Sequence, residues 1–107
     1  MVEVPFTVDT HWQDESAAVL ARGDLDADAS LVLVLAVRDA LAARPAELSV
    51  DLSAVTRLDQ AGVHALVMIR QGAESFAADF RVVVTPTQAV TLGQVVGLHG
   101  VLESRHD

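Results

Sequence analysis

The 107 residues make one ordinary domain, long enough to bury about two-thirds of the surface its unfolded form exposes and too short for a second core. Apolar residues make up 51% of the chain and charged residues 21%, which excludes a disordered polymer; three Phe, one Trp and no Tyr leave an aliphatic interior of Val, Leu and Ala. Fifteen carboxylates against seven Arg, with no Lys, give a formal net charge of −8, which repels nucleic acid and anionic membranes.

The chain has no Cys, so disulfides, thiolate metal sites and a Cys nucleophile are ruled out. No basic, then apolar, then small-residue leader follows Met1. The longest apolar run, 31–37, falls far short of the roughly 20 residues needed to span a bilayer. The expectation is a cytoplasmic protein without direct membrane insertion.

Residues 2–10 alternate, with Val2, Val4, Phe6 and Val8 on one side, as in a half-buried strand, and Pro5 suits a sheet edge. A polar turn over 11–16 leads to a second strand over 17–22, stopped by Gly23 and the acidic Asp24, Asp26 and Asp28. These two strands read as a hairpin. Over 29–43 the period becomes helical, with Leu33, Val34, Val37, Ala40 and Leu41 on one stripe, Asp26 or Asp28 as cap and Pro45 as stop. Residues 47–52 read as a central strand, 53–57 as a turn and 58–61 as a loop. The next helix covers 60–76, with Val63, Leu66, Val67 and Arg70 on one side and His64, Met68, Gln71 and Ser75 on the other. Residues 80–85 form another strand. Pro86 opens a short helix over 87–96 with Val90 and Val95 or Val96 inward, broken by Gly97 and Gly100. The tail 103–107 is expected to fray. Strand–helix–strand crossovers imply parallel strands covered by helices, a small α/β sandwich forming one domain over 1–107. Residues 1–16 form its strand or arm, a surface on which a second copy could pack as a homodimer.

Catalytic patterns are missing. The sequence has no glycine-rich phosphate loop, no Gly-x-Ser-x-Gly elbow and no His-Glu-x-x-His pair, and His11, His64, His99 and His106 are isolated from one another. No catalytic residue, metal ligand or cofactor is therefore expected. The acidic run Asp24 to Asp28 lacks the later Gly and terminal Glu of a calcium loop and is better explained by helix capping. The most informative segment leads from a buried strand through Leu58-Asp59-Gln60-Ala61-Gly62 into a helix. It sets Asp59 and Gln60 at an exposed helix N-terminus, where N–H groups point outward and negative charge is favoured. Capping by Asp59 alone would also explain it.

Three motifs, in order, resemble one family. Gly23-Asp24-Leu25-Asp26 is similar to its Gly-Glu-Leu-Asp signature, Val50-Asp51-Leu52-Ser53-Ala54-Val55-Thr56-Arg57-Leu58-Asp59 to its aspartate-bearing strand and regulatory loop, and Gly97-Leu98-His99-Gly100-Val101-Leu102 to its closing segment. The family is that of STAS domains and anti-sigma-factor antagonists. The resemblance implies a mixed, mostly parallel sheet of four or five strands with three or four helices, and a non-enzymatic module that binds a kinase-like anti-sigma factor. It also implies contacts through Asp59, Gln60, Ala61, Gly62, His64 and Met68, together with Asp26. In the family the residue matching Gln60 is a Ser or Thr whose phosphorylation breaks binding; glutamine has no hydroxyl, so the resemblance implies a module without that switch. The alternative is a small subunit of a lipid-transport ATPase complex, in which the loop reads Asp-Thr-Ala-Gly.

Overall fold

The computed structural model describes residues 5–104. Five strands form one sheet in the order β1 (Thr7–Gln13), β2 (Ser16–Leu25), β3 (Glu47–Leu58), β4 (Asp79–Val84) and β5 (Leu102–Ser104). β1 runs antiparallel to β2, and every later pair is parallel. The connections carry α1 (Ala27–Ala42), α2 (Gln60–Ser75) and α3 (Pro86–Leu92), the last followed by a turn of 3₁₀ helix, Val96–Leu98. Because each crossover steps the same way across the sheet, right-handed connections put the three helices on one face.

That face holds the core. Ala17, Val19 and Ala21 of β2, Leu48, Val50 and Leu52 of β3, and Phe80, Val82 and Val84 of β4 alternate inward, as the period of a strand requires. They meet Leu33, Val37 and Leu41 of α1 and Leu66, Ile69 and Ala73 of α2, all buried. Phe80 is the one aromatic side chain in this core; the rest is aliphatic, as the composition demands. Ala18, Leu20, Ser49 and Asp51 point to the opposite face and stay partly exposed.

Several boundaries move from their expected places. The first hairpin exists, but β1 continues through His11, Trp12 and Gln13, which pair with Ala18, Ala17 and Ser16, and the turn is confined to Asp14 and Glu15. Asp14 takes the left-handed backbone there, at φ 55°. Val2 and Val4 of the expected strand lie outside the described residues.

β3 does not stop at Leu52. Residues 53–57, read as a turn from their polar composition, remain extended because they pair with the end of β2, Arg22 with Ala54, Asp24 with Arg57 and Leu25 with Leu58. The register shifts on either side of Gly23, whose φ of +99° is a bulge conformation that favours glycine. A Cβ there would also come within 3.2 Å of the Phe6 Cα and the Pro5 carbonyl.

α3 is shorter than expected. Thr85 and Gln88 form a reciprocal capping box at its start, and the Gln88 Nε2 donates to the Leu52 carbonyl at 2.8 Å, tying α3 to β3. Its buried residue is Leu92; of the residues read as inward, Val95 packs against the core, whereas Val90 is 70% and Val96 79% exposed, the latter because the helix has ended at Gly93. Glu103 and Ser104, read as frayed, pair with Val83 and Val84, whereas residues 105–107 lie outside the described residues.

Candidate functional site

The extended β2–β3 ribbon ends on the pair Leu25 and Leu58, and the next residue in each strand is an aspartate that starts a helix. The Asp26 carboxylate accepts the Ala29 N–H at 2.9 Å, and the Asp59 carboxylate accepts the Gly62 N–H at 3.0 Å. The two caps are further joined by the Asp59 N–H, which donates to the Leu25 carbonyl at 3.5 Å. Ser30, the one buried polar residue among those described, donates its hydroxyl to the Asp26 carbonyl at 2.7 Å. So α1 and α2 begin side by side at one end of the sheet. Their N-termini carry the positive ends of two helix dipoles, and the carboxylates of Asp24, Asp26, Asp28 and Asp59 answer them. A small cleft of about 200 Å³ lies between Asp24, Leu25, Asp26, Arg57 and Asp59.

Next to this acidic rim the two helices leave a groove of about 570 Å³. α2 lines it with Gln60, Ala61, His64, Ala65 and Met68, the i, i+4, i+8 stripe of one helical face. α1 lines it with Ala27, Ser30, Leu31 and Val34. Leu31 is 62% and Met68 50% exposed, so the groove presents aliphatic and thioether surface to solvent at its mouth.

Of the residues expected from sequence, Gln60, Ala61, His64 and Met68 come together on this groove. Asp59 and Asp26 sit at its end as caps and line the acidic cleft instead. Gly62 is the exception. It is buried, and a Cβ on it would approach Leu58 Cδ1 to 2.9 Å and the Leu25 Cγ and carbonyl to 3.0 Å, so it packs α2 onto the ribbon and does not line the groove. The α1 half of the groove was missed. Its signal was the unbroken apolar run 31–37, which supplies more aliphatic side chains than one buried stripe can take.

Among the described residues no group of three or more His, Cys, Asp or Glu is placed to hold a metal, and no helix is long and apolar enough to cross a membrane. His99 braces the turn after α3, its Nε2 lying 3.0 Å from the Gly93 carbonyl. The groove offers shape and apolar contact; no nucleophile paired with a base lines it.

A family model described as Mlab, STAS domain matches residues 8–103. No curated protein matches the sequence significantly. Among solved structures, an anti-sigma factor antagonist from Mycobacterium paratuberculosis superposes with a TM-score of 0.80 at 22% identity, covering 97% of this chain and 92% of that one. A Moorella thermoacetica RsbS variant gives a TM-score of 0.77 at 20% identity, over 92% of this chain and 87% of the other. The phosphorylated form of the Bacillus cell fate determinant SpoIIAA gives 0.73 at 16% identity, over 96% and 93%. At these identities the likeness is one of fold, and it matches the five-stranded, three-helix architecture described above. With the family model spanning nearly the whole described chain, the protein belongs to the STAS domain family.

Proposed function

We propose that the protein is a non-enzymatic docking regulator of the anti-sigma-factor-antagonist kind, which engages a kinase-like anti-sigma protein through the α1–α2 groove and its acidic rim. The observation that carries this is the meeting of Gln60, His64 and Met68 with Leu31 and Val34 on one exposed groove beside two capped helix starts. Apolar anchors ringed by charge are the usual make-up of a binding hot spot. Binding would free a sigma factor by competition for its inhibitor.

Gln60 sits at the first position of α2, where a phosphate would add nearly two negative charges to a docking surface. A carboxamide there takes no phosphate, so this reading makes docking constitutive, or set by abundance or by another ligand. A second reading keeps the same surface but changes the partner to a transporter ATPase. It rests on Asp59-Gln60-Ala61-Gly62 lying one residue from the Asp-Thr-Ala-Gly loop of such complexes.

The test is co-purification from native lysate with partner identification by mass spectrometry, comparing wild type with Gln60→Asp, His64→Glu and Met68→Glu. Retrieval of an ATP-binding anti-sigma protein, weakened by at least about tenfold, or ~1.4 kcal/mol, in each variant is the expected result. Retrieval of a transporter ATPase selects the second reading. No partner sensitive to these substitutions removes both. Incubating the chain with ATP and the captured kinase should leave residues 59–62 unlabelled.

A further inference from the structure

Among the described residues β1 is a border of the sheet, with β2 on one side and no strand on the other. Natural border strands are normally blunted by Lys, Pro or a bulge. Residues 7–13 contain neither Lys nor Pro, and their register with β2 is unbroken from Thr7–Arg22 to Gln13–Ser16. The strand is also half covered by apolar surface. Val8, Thr10 and Trp12 face α1, and with Val32, Ala36 and Ala40 they line a shallow groove of about 390 Å³ that carries one charged residue, Asp39. Trp12 is 48% and Val32 49% exposed. Thr7, Asp9, His11 and Gln13 alternate to the opposite face.

Read against its own reverse, this strand is self-complementary. Placing a second copy antiparallel with Thr10 opposite Thr10 sets Val8 against Trp12 twice on the helix side. On the other side it sets the Asp9 carboxylate against the His11 imidazole twice, an acceptor facing a ring N–H donor. Thr7 meets Gln13. Neighbouring registers lose this match. Centring on Asp9 opposes two carboxylates, and centring on His11 opposes two imidazoles and leaves Trp12 against Thr10.

We propose that two copies pair β1 to β1 about a two-fold axis at Thr10, joining their five-stranded sheets into one and closing Val8, Trp12 and Val32 away from water. This goes beyond the docking role above and does not compete with it. Leu31 and Val34 line the α2 side of α1, whereas Val32 and Ala36 line the β1 side, so the dimer leaves the α1–α2 groove open.

Sedimentation of the full chain from micromolar to submillimolar concentration tests this, with the emission of Trp12, the only tryptophan, as a local probe. The wild type is expected to associate to a dimer while its emission moves to the blue. Asp9→Lys alone and His11→Glu alone should each raise the dimer dissociation constant at least about tenfold, and the double Asp9→Lys/His11→Glu should restore it. Thermal melts by circular dichroism establish that the variants fold. Because the chain has no other cysteine, Thr10→Cys should form an interchain disulfide on mild oxidation, and Gln13→Cys, which lies opposite Thr7, should not. A wild type that stays monomeric overturns the proposal. So does a dimer indifferent to the single charge changes, a double variant without rescue, or cross-linking at Gln13→Cys instead of Thr10→Cys.

Discussion

Two small residues, one within α2 and one just beyond it, show how much a single Cβ decides. Ala77, just past the helix, takes the left-handed backbone at φ 57°, while its N–H donates to the Glu74 carbonyl and the Ala78 N–H donates to the Ala73 carbonyl. This is the Schellman ending, whose left-handed position glycine fills without strain. Ala77→Gly should therefore stabilise the protein by about 1 kcal/mol, read as a rise of a few degrees in Tm. At Gly62 the sign reverses. Gly62→Ala forces a methyl into Leu58 and the Leu25 carbonyl and should cost about 1–3 kcal/mol in urea unfolding, with partner binding lost only in proportion to folding. The end of α1 follows the same rule with a different escape. Arg44 is left-handed at φ 55°, but Pro45 has no N–H for the second bond, and the Arg44 guanidinium lies over the Phe76 ring at 5.4 Å instead. Among the helix ends, the caps Asp26 and Asp59 and the stop at Pro45 were legible in sequence, because each is a local signal, whereas the role of Gly62 depends on a side chain 37 residues away.

At the scale of elements, what sequence revealed and what it hid divide by the range of the interactions. α1 and α2 are visible in their periodicity, and β4 in its three valines, because burial writes itself into spacing. The second half of β3 is not. Ser-Ala-Val-Thr-Arg has the composition of a turn and is extended because β2 offers a partner, a pairing that no local pattern announces. The candidate site was half legible for the same reason. The α2 stripe was in view, and its α1 wall depended on which face of an all-round apolar helix turned outward. Removing a cap tests how far the elements stand alone. Asp26→Ala frees the Ala29 N–H and should cost about 1 kcal/mol, with the loss seen in the urea midpoint and the m-value unchanged.

For the whole molecule the governing quantity is charge. A net −8 on a domain of radius of gyration 12.8 Å repels itself, and one ion pair, Arg70 with Glu74 at 3.4 Å, is formed among the described residues. Since the screening length falls from about 30 Å at 0.01 M salt to about 8 Å at 0.15 M, added sodium chloride should raise Tm over that range. A flat or falling Tm would mean that favourable pairs and helix-end charges outweigh the repulsion. This sign rests on the count of charges, which is read directly from the residues.

The ribbon that carries Leu25 and Leu58 also acts as a yoke. Both helix starts are bolted to one rung of the ladder, so neither can be pried loose by itself. Native-state hydrogen exchange should then find the Ala29 and Gly62 amides opening together, with matching protection, and Leu58→Ala should release both at once. A domain built this way feels a load on either helix at the mouth of the other.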